Sequence, residues 1–182
     1  RDIHFSFTFD EETACQGAPL LIKEISKRGI KEGICIVGEP TNMKIIDGHK
    51  GTYEYTTHFT GLAGHGSAPD KGVNTIEYAA RYINKLLEIR EELKKRAPQD
   101  SIFDPPYTTL QIGGINGGIA RNVIADKCHV DWELRPVVKD DGIWVNSEID
   151  KFSNEILLPK MKKIYKESII KKEIIGEIIG FD

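Results

Sequence analysis

The chain has 182 residues, 40% of them hydrophobic and 29% charged, enough to bury a core and typical of a soluble globular protein. Its formal net charge of -3 and pI near 6.0 exclude wholesale binding to nucleic acid or an anionic membrane, both of which need a basic face. No apolar run approaches the ~20 residues of a membrane span, and Cys15, Cys35 and Cys128 match neither a disulfide framework nor a zinc-knuckle spacing, so reduced thiols and a cytoplasmic location are expected.

Ile3-His4-Phe5-Ser6-Phe7-Thr8-Phe9 is a β-type run. With no initiator Met and no signal-type segment before it, the sequence reads as starting inside a strand, and as a piece of something longer. Asp10-Glu11-Glu12 follow. Adjacent carboxylates repel one another, so they either gather a cation at the strand end or form a solvated turn where acids suit the start of a helix. That helix is predicted from near Ala18, with Pro19 in its first turn, Leu20, Leu21 and Ile25 as its apolar stripe, and Ser26-Lys27-Arg28-Gly29 at its end. Ile34-Cys35-Ile36-Val37, bounded by glycines, reads as a strand buried on both faces of a parallel sheet. Gly38-Glu39-Pro40-Thr41 then sets another acid at a strand's carboxyl end, placed to meet the first cluster across one cleft.

From Gly51 the pattern changes. Tyr53, Tyr55, Thr57 and Phe59 alternate with Thr52, Glu54, Thr56 and His58, as in a sheet with one wet face. A glycine-rich loop runs from Gly61 to Pro69. Asn74 and Glu77 make a capping-box-like helix start, and Ile76, Ala79, Ala80, Ile83, Leu86 and Leu87 form the expected apolar face of a helix reaching Lys94-Lys95-Arg96. A strand is expected near Tyr107 to Ile112, with the glycines from Gly113 to Gly118 as a loop or hairpin turn. In the next strand Cys128, Val130, Trp132 and Leu134 point one way, and His129, Asp131, Glu133 and Arg135 the other. Asp140-Asp141-Gly142 reads as a turn. Val145, Ile149, Phe152 and Ile156 step as a helix that Pro159 ends or kinks, and isoleucines from Ile169 to Ile179 supply a last strand. The order from Thr52 is thus β-α-β-β-α-β, the split-βαβ arrangement of ferredoxin-like domains. Its open face or exposed edge points to a homodimer.

Five ordered motifs carry a resemblance over roughly residues 3 to 138: Phe9-Asp10-Glu11-Glu12; Val37 to Thr41 with His49-Lys50-Gly51; Gly64-His65-Gly66-Ser67-Ala68-Pro69 with Gly72-Val73-Asn74; Gly117 to Ile124; and Asp131 to Pro136. Together they resemble the di-zinc amidohydrolases that act on N-acyl amino acids. The resemblance implies a fold of two parts: residues 1–50 as a partial α/β zinc-hydrolase catalytic domain, and 51–180 as a ferredoxin-like (βαββαβ) lid and dimerisation domain. It also implies Glu11 as general base toward a metal-bound water, Glu12 and Glu39 as ligands of one zinc each, His65 as the lid residue reaching the partner subunit's site to stabilise an oxyanion, and Asn122 with Arg135 as holders of the substrate carboxylate.

Two zinc ions per subunit are implied for the complete enzyme, with cobalt or manganese as substitutes. The motifs Asp104 to Thr109 and Asp131-Trp132-Glu133 narrow the implied reaction to removal of acetate from N-acetylornithine, in arginine biosynthesis. A desuccinylase, aminoacylase or dipeptidase of the same family is the alternative. So is a non-catalytic dimerisation module, because the family's His-x-Asp metal pair is expected before Arg1 and its last zinc histidine after Asp182. Gly66 and Ala125 depart from the serine and proline common at those positions. His129-x-Asp131 imitates the metal pair but sits on a lid strand, where a paired surface face is expected.

Overall fold

A computed structural model describes residues 3–13, 15–31 and 33–181. The contacts divide the chain into two units, Arg1–Ile45 and Ile46–Asp182.

In the first unit the helix forms where the sequence puts it. Helix α1 spans Gly17–Lys27, and the backbone N–H of Arg28 closes it on the carbonyls of Glu24 and Ser26. The two expected strands do not form. Residues 3–9 and 34–37 have no ladder partner among the described residues, and Phe7 and Ile34 are 91% and 92% exposed. A strand buried on both faces exists only through its neighbours, because its amides and carbonyls must be paired outside the segment. The apolar run alone specifies nothing once those neighbours are missing from the unit.

The second unit has strands β1 (Thr52–Thr60), β2 (Thr109–Gly117), β3 (Lys127–Arg135) and β4 (Ile169–Ile178), with α2 (Thr75–Lys95), α3 (Lys139–Lys151) and α4 (Leu158–Ile164) between them. Together they make a mixed α/β fold around one four-stranded antiparallel sheet in the order β2-β3-β1-β4. The period-2 pattern of β1 holds, with Tyr53, Tyr55, Thr57 and Phe59 all buried. Tyr55 pairs with Trp132 across the β1/β3 register and stacks on it, centroids 4.4 Å apart. Thr57, buried beneath them, shares a 2.9 Å hydrogen bond with the Tyr82 hydroxyl and accepts one of 3.1 Å from the Trp132 indole N–H. Each large side chain withdrawn this way contributes roughly 1.5–3 kcal/mol.

Four details depart from the expectations. First, the buried stripe of α2 is Tyr78, Ala79, Tyr82, Leu86, Ile89 and Leu93, while Ile76 and Ala80 are exposed. Counting only aliphatic residues rotates the face, whereas the two tyrosines reach the core with their rings. The start of α2 is as expected, with the Asn74 side chain accepting from the N–H of Ile76 and donating to Glu77. Second, β2 runs through the glycines to Gly117, absorbing them with a bulge between Ile112 and Gly114.

Third, Asp140-Asp141-Gly142 is the first turn of α3, not a separate turn. Asp141 is buried and accepts from Arg96 Nε at 2.8 Å and from the Thr108 hydroxyl. Gly142 is needed because a Cβ there would lie 2.5 Å from Tyr53 Cε2. Fourth, Pro159 neither ends nor interrupts the helical run. A π-helical stretch, Phe152–Leu157, joins α3 to α4 and widens the turn before the proline, which has no N–H to donate.

Candidate functional site

The acidic residues of the first unit lie on its surface. Glu11 and Glu12 sit in a 3-10 turn, Glu11–Thr13, entered through Asp10 at φ 56°. This loop is closed by Gly17 N–H donating to the Phe9 carbonyl at 3.2 Å. Glu39 is held by backbone bonds on either side of it, its N–H to the Val37 carbonyl and its carbonyl to the Thr41 N–H. All three side chains are exposed. Among the described residues no three His, Cys, Asp or Glu side chains gather closely enough to hold a metal ion. The expected convergence of Glu11, Glu12 and Glu39 is thus not assembled as a metal cluster by the described residues.

In the second unit, two segments far apart in sequence are fastened together. Gly66 N–H donates to the Asn122 carbonyl at 2.7 Å, Ile124 N–H donates to the Gly64 carbonyl at 2.8 Å, and His65 and Val123 form a β-bridge. The Thr75 N–H and hydroxyl both donate to the Ala125 carbonyl, tying this strap to the start of α2. Gly66 sits close against this strap, where a Cβ would approach the Asn122 carbonyl oxygen to 3.1 Å.

His65 and Asn122 are exposed on these joined loops. Ser67 orients the imidazole: its N–H donates to Nδ1 at 3.2 Å, and its hydroxyl lies 2.7 Å from the same nitrogen. An Nδ1 that accepts leaves the proton on Nε2, so the neutral ring presents a donor outward. Sequence reasoning passed over Ser67, although its two-residue spacing from His65 was the available signal.

Arg135 lies elsewhere. It ends β3 on the open face of the sheet, donating from Nε and Nη2 to Glu133 at 3.0 and 2.8 Å and from Nη1 to the Thr52 hydroxyl at 2.7 Å. Residues i and i+2 share a strand face, so this pairing was legible. His129 and Asp131 occupy the same face, 3.8 Å apart, with Thr56 bound to Asp131 and His58 bound to Glu173. That is the paired polar surface expected of them. Lys50, also overlooked, pins the loop before β2 by donating to the carbonyls of Pro105 and Tyr107 at 2.6 and 2.9 Å. Its burial lowers its pKa from the usual lysine value, against the upward pull of Asp104.

Residues 47–161 match the family described as the peptidase dimerisation domain. The chain belongs to the peptidase dimerisation domain family. Among curated members of this kind, it is 34% identical over 159 residues to an acetylornithine deacetylase of Edwardsiella ictaluri, covering 87% of this chain and 39% of that protein. It is 36% identical over 172 residues to the acetylornithine deacetylase of Buchnera aphidicola subsp. Acyrthosiphon pisum, covering 94% of this chain and 43% of the relative. The chain therefore spans about two fifths of the length of these relatives. Its fold is like that of the aminobenzoyl-glutamate utilization protein from Klebsiella pneumoniae, with TM-score 0.53, 17% identity and coverage of 74% and 30% of the two chains. An amidase of the hydantoinase/carbamoylase family from Burkholderia multivorans gives TM-score 0.55 at 14% identity, covering 74% of this chain and 29% of its own.

Proposed function

We propose that this dimerisation-domain chain forms the lid, and residues 1–50 part of the catalytic α/β domain, of a metal-dependent amide hydrolase that releases acetate from N-acetylornithine. The similarity to acetylornithine deacetylases over most of the chain supports the substrate. One structural observation carries the lid role: the His65 ring, held by Ser67 with Nδ1 accepting, on a loop strapped to Asn122. An Nε2–H so aimed donates to the oxyanion that develops when an amide carbonyl is attacked.

Asn122 and Arg135 are the proposed holders of the substrate carboxylate. Arg135 suits the task as a planar, permanently charged fork, and engaging substrate requires it to loosen its pair with Glu133. Glu11 is the proposed general base. The β-α-β-β-α-β order with sheet order β2-β3-β1-β4 supports the ferredoxin-like reading of the lid. Three free cysteines fit a cytoplasmic location, and among the described residues no helix is long and apolar enough to cross a membrane.

The chain by itself does not fit a zinc site. Glu12 and Glu39 offer one carboxylate each, where zinc takes three or four protein ligands, and no third donor joins them among the described residues. As it stands the chain is therefore proposed to be non-catalytic, with the two-zinc requirement belonging to the whole enzyme. Metal analysis of the purified chain is expected to show far less than one zinc per chain, and tight stoichiometric zinc would overturn this. In the intact enzyme His65→Ala should lower kcat by about 10²–10³, with deacetylation of N-acetylornithine preferred over desuccinylation and dipeptide cleavage. Unchanged kcat, or preference for another acyl group, would sink the reading.

A further inference from the structure

The end of β3 lies between two segments that a single side chain ties together. On one flank Arg135 stands opposite Thr109 in the β2/β3 ladder, and the Val137 N–H donates to the Thr108 hydroxyl oxygen at 3.0 Å. On the other flank the Gly51 N–H donates to the Pro136 carbonyl at 2.8 Å, and the Thr52 hydroxyl accepts from Arg135 Nη1 at 2.7 Å. These flanks stand two strand spacings apart, about 10 Å at ~4.8 Å each. Lys50 crosses that gap. It immediately precedes Gly51 and Thr52, and its ammonium donates to the carbonyls of Pro105 and Tyr107, just before β2.

The bonds of Arg135 show what such a tie can do. Nε and Nη2 both end on one oxygen of Glu133, Oε2, at 3.0 and 2.8 Å. A substrate carboxylate that offers one oxygen to each nitrogen suits the same edge of the fork better, because two parallel bonds are its preferred geometry. Once Glu133 gives way, the bond from Nη1 to Thr52 is the one of the three that remains. The aim of the guanidinium then depends on where Thr52 is held.

We propose that Lys50 is a positioning residue for substrate binding: by tying the start of β1 to the loop before β2 across the end of β3, it sets the Thr52 hydroxyl against Nη1 and aims the Nε/Nη2 edge of Arg135 at the substrate carboxylate. The proposal rests on the role given to Arg135 above and adds what holds the arginine when Glu133 lets go. An arginine ordered before the substrate arrives loses less side-chain freedom on binding.

Two readouts test it, the first without substrate. In this chain the Arg135 Nε–H resonance, identified by its loss in Arg135→Lys, should exchange with water roughly tenfold faster in Lys50→Met, while the amides in the middle of β3 stay protected. Lys50→Arg should recover most of the parent rate. Thr52→Val should match Lys50→Met, and the double variant should add little to either, because both act on one contact. Lys50→Gln, which keeps a shorter donor, gives the same reading if methionine disturbs folding. In the intact enzyme Lys50→Met should raise KM for N-acetylornithine roughly tenfold with kcat within about twofold, and Lys50→Arg should bring KM back toward the parent value. A folded variant with unchanged Nε–H exchange, or one that loses kcat at constant KM, would overturn the positioning role; a lysine that only staples the loop gives lower thermal stability and neither change. Failure of the proposed reaction shows separately, as no deacetylation by the parent enzyme, and leaves the exchange measurement to decide the role of Lys50.

Discussion

Residues 34–37 and the strand β3 both read as strands in the sequence, yet Ile36 is 90% exposed and Val130 is fully buried. The difference lies in what surrounds them. Strand β3 alternates, so its burial needs only one covered face, and β1 and β2 pair it on both sides within the same unit. The continuous run at Ile34 calls for pairing and two covering layers, and the first unit supplies neither among its described residues. An alternating pattern specifies its own environment, whereas a continuous one presupposes it.

The sharpest contrast comes from truncating one residue in each region. Leu134→Ala removes a fully buried side chain from β3 and should destabilise the second unit by about 2–5 kcal/mol, while Ile36→Ala should stay within about 0.5 kcal/mol; urea unfolding followed by tryptophan fluorescence reads both. Comparable losses would break the distinction. Next in size is Asp141→Ala, which leaves the Thr108 hydroxyl and Arg96 without their buried acceptor and should cost about 1–3 kcal/mol. The charged part is the smaller share, because Arg96 is itself 40% exposed. A neutral outcome would show that Asp141 does not anchor α3 to the sheet.

How much was legible follows the same line. Strand β1, β3, the Asn74 cap and the pairing of Arg135 with Glu133 depend on residues two to four apart, and the sequence displays them directly. The strap between the His65 and Asn122 loops depends on residues some 57 positions apart, joined by backbone hydrogen bonds that leave no side-chain signature. Asp141 was misread because acids before a glycine suit a turn and a helix start equally well, and only Arg96, 45 residues earlier, decides between them. Glu11, Glu12 and Glu39 stood out as a motif, but a motif carries no coordinates for its missing partners.

Smaller effects refine the account of the second unit. Asn74→Ala should cost about 1 kcal/mol through the loss of the bond to Ile76 N–H, and Asn74→Asp should preserve most of it in thermal unfolding. The buried tyrosines make stability depend on pH only in alkali. Burial raises the pKa of both Tyr55 and Tyr82, with the Glu177 carboxylate adding to the rise at Tyr55. The unfolded chain loses these protons near ~10, whereas the folded chain keeps them, so stability should be intact below that pH and fall as pH rises above it. Absorbance at 295 nm should show both rings titrating only as the protein unfolds, and ionisation within the native state would contradict their burial.

Native-state hydrogen exchange of the whole chain tests most directly whether the two regions differ as described. Amides of residues 52–60 and 127–135 should be protected to the level of global unfolding, while those of residues 3–9 and 34–37 should exchange near the rate of an unstructured chain. Protection at 3–9 and 34–37 equal to that of β1 would contradict the account, because those segments would then have found strand partners.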